Sequence, residues 1–463
     1  MGYGKDLQEL LLKHCHIKLI LDNQRRRSFA QADINTIIAL FSPPDEKSTL
    51  ELDRKAHFVM FRVPFEEVLS PIVFQEIDEA QQLTTDPKHR QLQVPVFGTN
   101  ETIMLTELSR PEFRVRVLKQ ADLYKDGLAS TGEETSLISA ERKYDGGKWG
   151  GKYVRAPEIF WTILEKGKNK LVRLGDIAEV QRGFTTGAND FFYVEPTDKH
   201  APKGLLHVKN GAGWESFIED EFVKPLVKSP REIKTNLIRA EDLKYKVFMC
   251  HLSKAELKKQ GAKCALEYIQ WGEQAEVPIK QGTRKGEIVI GYDSISTVQS
   301  RGRWYDLGEW EYPDMFWSDA YNNRYIFAVN TGEYYGDKRF FFVNFARDDF
   351  LPRAYLNSSI TPLFIELQGI ANLGQGVIYT NVYWLKSYPV LNNPSYLNTS
   401  QQKRLKQAFD QLSKREIRSV FEELGLPKPN KDYSNIYPDD ISLDNVLPDR
   451  RELDKVVFEV LEL

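Results

Sequence analysis

The chain has 463 residues, 41% hydrophobic and 28% charged, so a folded protein of roughly two to four domains is expected rather than a disordered one. Lys and Arg number 63 against 66 Asp and Glu, a net charge of −3, so no overall basic footprint marks a nucleic-acid binder. No apolar run approaches the roughly 18 residues that span a bilayer, and Cys15, Cys250 and Cys264 are too scattered for a disulfide framework or a zinc pair.

In chain order, "DLQELLLKHCHIKLILD" places Leu7, Leu10 and Leu11 at helical spacing before an apolar strand, Ile17 to Leu21. A polar corner from Arg25 to Asp33 leads into a second strand, Ile34 to Phe41, and "SPPDEKS" is a loop by composition. "HFVMFRVP" is a third strand. These elements suit the edge of an α/β sheet. "FRVRVLKQADL" reads as a strand running into a short helix. The glycine-rich "YDGGKWGGKYVRAPEIFWTIL" ends in a helix that starts at Pro157 and carries Ile159, Phe160, Ile163 and Leu164. Residues 166–170 form a connector.

From Leu171 to about Val390 short aromatic-rich strands dominate: "FFYV", "EIVIGYD", "RYIFAVN" and "KRFFFVNF". "LPRAYLNSSITPLFIELQ" is read as one helix, and Thr399 to Leu424 as a long one with Leu405, Phe409, Leu412, Ile417 and Phe421 on its apolar face. A last amphipathic helix spans Arg450 to Leu463. The fold class is therefore α/β in the mixed α+β sense. A partial sheet and connector (1–170) precede a strand-rich domain (171–390) and a helical tail (391–463).

Charge is uneven along the chain. Between Lys280 and Arg303 five basic residues face two acidic ones, whereas Pro438 to Leu463 holds eight acidic and three basic. A basic face behind an acidic tail is compatible with the overall balance. There is no P-loop, HExxH or GxSxG. His14, Cys15 and His16 stand at adjacent positions that point apart on a helix or strand, and no second cluster completes a metal site. "NNPSY", Asn392 to Tyr396, nearly spells the tetrad that grips a flipped adenine, but it falls in a turn before the long helix and is read as a decoy.

"LGDIAEVQRGFTTGANDFFYV", Leu174 to Val194, interrupts a strand with small hydrogen-bonding residues. It is either a hairpin corner or a loop built to lie against a polar partner. Gly183 and Gly187 permit close approach, Thr185, Thr186 and Asn189 are compact donors, and Arg182 is a charged fork. Such residues suit contact with phosphates and base edges. Arg301, Arg303 and Trp304 in "SRGRWY", Arg324, and Lys338 with Arg339 are the other candidates for DNA contact. Arg301 and Arg303 alternate around Gly302, so on a strand both would share one face. Each is equally compatible with a solvated edge. Arg25 to Arg27 suit either phosphate or a solvated turn, and "KWGGKY" either a contact or a hinge.

Together, "SFAQADINTIIAL" and the Leu174–Val194 stretch resemble the amino-group DNA methyltransferases of type IIG restriction–modification and phage-exclusion (BREX-type) systems. In that family a catalytic domain precedes a target-recognition domain similar to the TaqI-like specificity domain. A corner Phe-x-x-x-x-(Ile/Val)-x-Thr closes the family's catalytic sheet, and its Phe stacks on the flipped adenine. Phe29, followed by Ala32, Ile34 and Thr36, matches that corner. The resemblance continues through "KWGGKYVRAPEIFWTILEKGKNKLVRLGDIAEV", "RGRWYDL", "NNRYIFAVN", "DKRFFFVNF" and "NLGQGVIYTNVYWLKSYPV", and so covers about residues 2–460.

The resemblance implies a Rossmann-like origin for the first sheet and sequence-specific duplex-DNA recognition for residues 171–390. The opening "GYGKDLQ" resembles the point just after the family's catalytic tetrad. The cofactor strand and the Asn/Asp-Pro-Pro-Tyr loop are absent from the chain. The expectation is that this chain binds no cofactor and does not methylate alone, the complete enzyme using S-adenosylmethionine. Its expected partners are double-stranded DNA and a methyltransferase half or partner subunit, in the cytoplasm and without a membrane. The alternatives are a stand-alone DNA specificity subunit and a degenerate protein-interaction module in phage defence.

Overall fold

The computed structural model describes residues 3–23, 37–43, 51–96, 101–128, 144, 146–280, 283–371, 377–430 and 433–463. Phe29, the Arg25–Arg27 run, Ala32, Ile34 and Thr36 lie outside them. The chain divides into two units. Unit 1 comprises Met1–Ile177, Asp349–Ala408 and Arg450–Leu463, and unit 2 comprises Ala178–Asp348 and Phe409–Asp449. The architecture is mixed α/β, with several sheets and helices at the C-terminal end, Thr399–Lys414, Val420–Glu423 and Pro448–Leu461.

Unit 1 is built on β1 (His16–Asn23), β2 (Ile38–Ser42), β3 (Lys55–Phe61), β4 (His89–Pro95), β5 (Thr102–Ser109) and β6 (Phe113–Lys119). They form one sheet in the order β2-β1-β3-β6-β5-β4, with β1 and β3 parallel and the other neighbours antiparallel. β3 is buried at six of seven positions and β6 likewise, as strands covered on both faces must be. One face packs Leu19, Leu21, Val59, Phe61, Val115 and Val117 against the helix Pro71–Glu79. That helix begins where Ser70 accepts a hydrogen bond from the Val73 amide at 3.3 Å, with Pro71 at its first position.

The other face lies under the glycine-rich segment. Residues Gly150–Arg155 form a π-helical turn, and helix Glu158–Gly167 follows. Phe58 meets Tyr153 with ring centroids 5.2 Å apart. Further along, β7 (Leu171–Arg173) pairs antiparallel with Pro389–Leu391.

Unit 2 contains two larger sheets. One joins β8 (Ala178–Arg182) to β16 (Met315–Ser318), β18 (Phe327–Val329) and β20 (Phe340–Phe345) in the order β18-β16-β20-β8. The other runs β11-β10-β9-β13-β12-β19, from β9 (Tyr193–Pro196), β10 (Leu205–Asn210), β11 (Glu215–Glu219), β12 (Val223–Val227), β13 (Tyr245–Phe248) and β19 (Tyr335–Gly336). A hairpin of β14 (Glu276–Pro278) and β15 (Ile288–Ile290) is separate, and β17 is the two-residue strand Ala320–Tyr321. The core of the second large sheet is aromatic. Phe191 stacks on Tyr268 at 4.4 Å, and the Tyr268 ring lies parallel to that of Trp271 at 5.7 Å.

Three local expectations need correction. Arg301 and Arg303 are not on a strand; they follow the short helix Ser296–Gln299 in irregular backbone. The helix expected over 351–368 is two, Phe350–Leu356 and Ile360–Gln368. Between them the Ser359 amide and hydroxyl both bond the Asp454 carboxylate, at 2.8 and 2.5 Å, an alternative to continued helix. The long helix stops at Lys414, and Ser419 with Glu422 forms a capping box that starts a new one.

Candidate nucleic-acid interface

The stretch from Arg182 to Asn189 is not a hairpin corner, because β8 and β9 belong to different sheets. It carries the chain from one sheet of unit 2 to the other. Close packing explains its composition. A Cβ on Gly183 would overlap the Asp337 carbonyl oxygen, and Gly187 adopts φ +71, the left-handed region that glycine tolerates. Phe184 is 1% exposed and plugs the core beside Trp310 and Tyr335.

The threonines divide by role. Thr186 is fully buried; its hydroxyl accepts from the Ala188 amide at 3.2 Å and donates to Asn189 Oδ1. Thr185 and Asn189 are exposed. Arg301 turns toward this loop. Its Nη2 donates to the carbonyls of Thr185 and Thr186 at 3.1 and 2.8 Å, and its guanidinium lies over the Phe192 ring at 5.5 Å. Burial disfavours its charge and pulls its pKa down.

Trp304 is a core residue, 8% exposed, with its indole N–H donating to Glu273 at 3.1 Å. Arg303 is exposed and pairs with Asp306 at 2.8 Å; the same carboxylate meets His251 at 2.7 Å. Arg324 is half-buried and donates to the Ile233 carbonyl at 3.0 Å.

A second group gathers at the turn between β19 and β20. Arg182 lies opposite Phe341 in the β8–β20 pairing. Its Nε donates to the Lys338 carbonyl at 2.9 Å and its Nη2 to Asp319 Oδ2 at 2.8 Å. Lys338 and Arg339 are exposed on the same turn. The turn is fixed from below by Asp337, which accepts from the Arg339 amide at 3.0 Å and from the Tyr193 hydroxyl. Asp319 donates its own amide to the Arg339 carbonyl at 3.0 Å. Burial raises the Asp319 pKa, against the lowering pull of the Arg182 and Arg339 charges.

The fold thus unites Arg182, Lys338 and Arg339 in one exposed group, and holds the half-buried Arg301 against the carbonyls of the exposed Thr185 and the buried Thr186. Asp319 and Asp337 escaped the sequence reading because each organises a partner more than a hundred positions away, with no local signature. Such a group can grip an anion or present directed donors to a base edge. In unit 1 a cavity of about 430 Å³ is walled by Asp126, Lys152, Gln368, Asn381, Tyr383 and Trp384, of which Lys152 alone falls in a segment, "KWGGKY", that the sequence offers as a contact or a hinge. Among the described residues no helix is long and apolar enough to cross a membrane, and no group of three metal-ligating side chains occurs.

A family model matches residues 147–424. The chain belongs to that family, type II methyltransferase M.Eco57I, C-terminal domain. Among solved structures, the type IIG restriction endonuclease BpuSI is similar at 12% identity and a TM-score of 0.38, over 99% of this chain and 45% of that one. The type IIL restriction-modification enzyme MmeI, solved in complex with DNA, is similar at 11% identity and a TM-score of 0.35, over 89% of this chain and 47% of that one. The chain therefore spans less than half the length of either. A search of curated proteins returns no match.

Proposed function

We propose that this chain reads the sequence of duplex DNA as the C-terminal part of a site-specific adenine-N6 methyltransferase of a restriction–modification or phage-defence system. Residues of about 171–390 act as the target-recognition domain. The observation that carries this reading is the family match over residues 147–424, which spans the anchored Arg182 and the exposed Lys338, Arg339, Thr185 and Asn189. Base flipping enzymes need such a reader, because the chemistry at the extruded base carries little information about its surroundings.

Methyl transfer is assigned to a cytoplasmic complex or longer protein that also holds S-adenosylmethionine and the Asn/Asp-Pro-Pro-Tyr loop, neither motif being in this sequence. Phe29 would then stack on the flipped adenine. Ile38 and Leu40, with Phe41, are 47 to 50% exposed on the edge strand β2, which supports a covering catalytic half over a stand-alone specificity subunit. The test is selection from a randomised duplex pool by this chain across a salt series. Enrichment of one short motif containing an adenine is expected. Weak, sequence-blind binding that vanishes with salt would remove the proposal.

A further inference from the structure

We propose that Arg182 reads a guanine and that Asp319 is the positioning residue that aims it; this inference rests on the target-recognition reading given above. A guanidinium carries five N–H donors in a rigid plane. In Arg182 the side-on edge is occupied, Nε by the Lys338 carbonyl at 2.9 Å and Nη2 by Asp319 Oδ2 at 2.8 Å. The Phe341 ring lies 5.6 Å from the guanidinium carbon and supports the same plane. Among the described residues, what remains is the end-on fork of Nη1 and the second Nη2 hydrogen, on a side chain that is 54% exposed.

Two parallel donors in that fork match the O6 and N7 acceptors of guanine in the major groove, and they also match two oxygens of a phosphate. The ion pair separates these ligands. Asp319 neutralises the Arg182 charge, which weakens its pull on a polyanion but leaves the directed donors intact. A neutral base edge rewards direction, whereas phosphate neutralisation rewards net charge. The exposed Lys338 and Arg339 on the adjoining turn supply net charge without an anchor of this kind.

Asp319 is itself costly to keep. It is 5% exposed, and its Oδ1 is buried without a hydrogen-bond partner among the described residues. A buried carboxylate with an unmet lone pair is destabilising, so packing alone gives no reason for it. Among the described residues its one side-chain hydrogen bond goes to Arg182. By contrast Arg301 directs its donors at loop carbonyls, and Arg303 meets a carboxylate only three residues away.

The experiment is pool selection with the full chain as wild type, Arg182→Ala, Arg182→Lys and Asp319→Asn, read position by position. The expected wild-type motif contains a guanine preferred by about 5- to 150-fold, the range for one bidentate contact. Both Arg182 variants flatten that position alone. Asp319→Asn weakens the same preference while raising sequence-blind affinity and steepening the salt dependence, because no carboxylate then offsets the Arg182 charge. Retained preference at the other positions shows that each variant is folded. A motif left intact, with uniformly weaker binding by Arg182→Ala, identifies a phosphate clamp and overturns this proposal while sparing the recognition reading. A wild-type motif without guanine overturns it equally. No wild-type motif at all removes the recognition reading and this inference together.

Discussion

Glu107 Oε2 accepts a hydrogen bond from Arg116 Nε at 2.6 Å, with the two side chains 2% and 0% exposed. Arg116 then donates to the Ala156 and Tyr153 carbonyls at 2.6 and 3.2 Å, and Arg114 to the Val154 carbonyl at 2.8 Å. Strand β6 is thereby stitched to the π-helical turn Gly150–Arg155 by side chains rather than by a strand ladder. Arg90 completes the group by pairing with the other Glu107 oxygen at 2.9 Å. One carboxylate thus holds two guanidiniums, and a third lies nearby on the same strand.

Removing that carboxylate leaves buried cations without a counter-charge. Glu107→Ala is expected to destabilise unit 1 by about 3–5 kcal/mol, the usual cost of breaking a buried pair from one side. Hydrogen exchange at the β6 amides, followed by mass spectrometry, reads this locally. Wild-type protection of β6 in the variant would show that the arginines have found other partners.

The same pair sets a pH dependence. Burial raises the Glu107 pKa, but the Arg116 charge and hydrogen bond, with Arg90, outweigh it and hold the carboxyl below its ordinary value of 4.5. A depressed folded-state pKa contributes stability that is present above the unfolded value and is lost as pH falls through the folded one. β6 protection should therefore decline below about pH 4.5 in the wild type. In Glu107→Gln this component should be missing, with protection lower at neutral pH and flatter into acid. Parallel pH profiles for the two proteins would contradict the assignment.

Gly183 offers a test of the sheet-to-sheet crossing. A Cβ there would overlap the Asp337 carbonyl oxygen and stand 3.0 Å from the Phe342 ring. Gly183→Ala is expected to cost unit 2 about 1–3 kcal/mol, as overpacking does. Gly302, where a Cβ meets nothing within 4 Å, is the control, and its alanine variant should stay within about 0.5 kcal/mol of wild type. Urea unfolding of both variants makes the comparison. Equal midpoints would mean that the turn at Asp337 yields freely.

Much of the local structure was legible because periodicity is a local property. "FRVRVLK" alternates as a strand does, and the final amphipathic helix lies at Pro448–Leu461, within two residues of its expected bounds. The glycines and threonines of Arg182 to Asn189 marked a special loop, and that loop lies within the family match over 147–424. Helix ends were less legible. The break at Asn357–Ser359 depends on Asp454, 95 positions away from Ser359.

The sequence by itself determined several of the strands and the positions where charge was available, whereas Trp304, expected at a DNA contact, is buried in the aromatic core. The sequence could not determine which charges meet water. Arg116 and Arg182 are both arginines on alternating strands, yet one is sealed and bonded to carbonyls while the other presents a free edge. The difference lies in what covers each side chain, the segment from residue 150 over β6 and the Asp319 carboxylate beside β8. Spacing along the chain records which face of a strand a residue takes. Only the tertiary structure brings up the partner, 137 positions away for Arg182, that decides whether the face is core or surface.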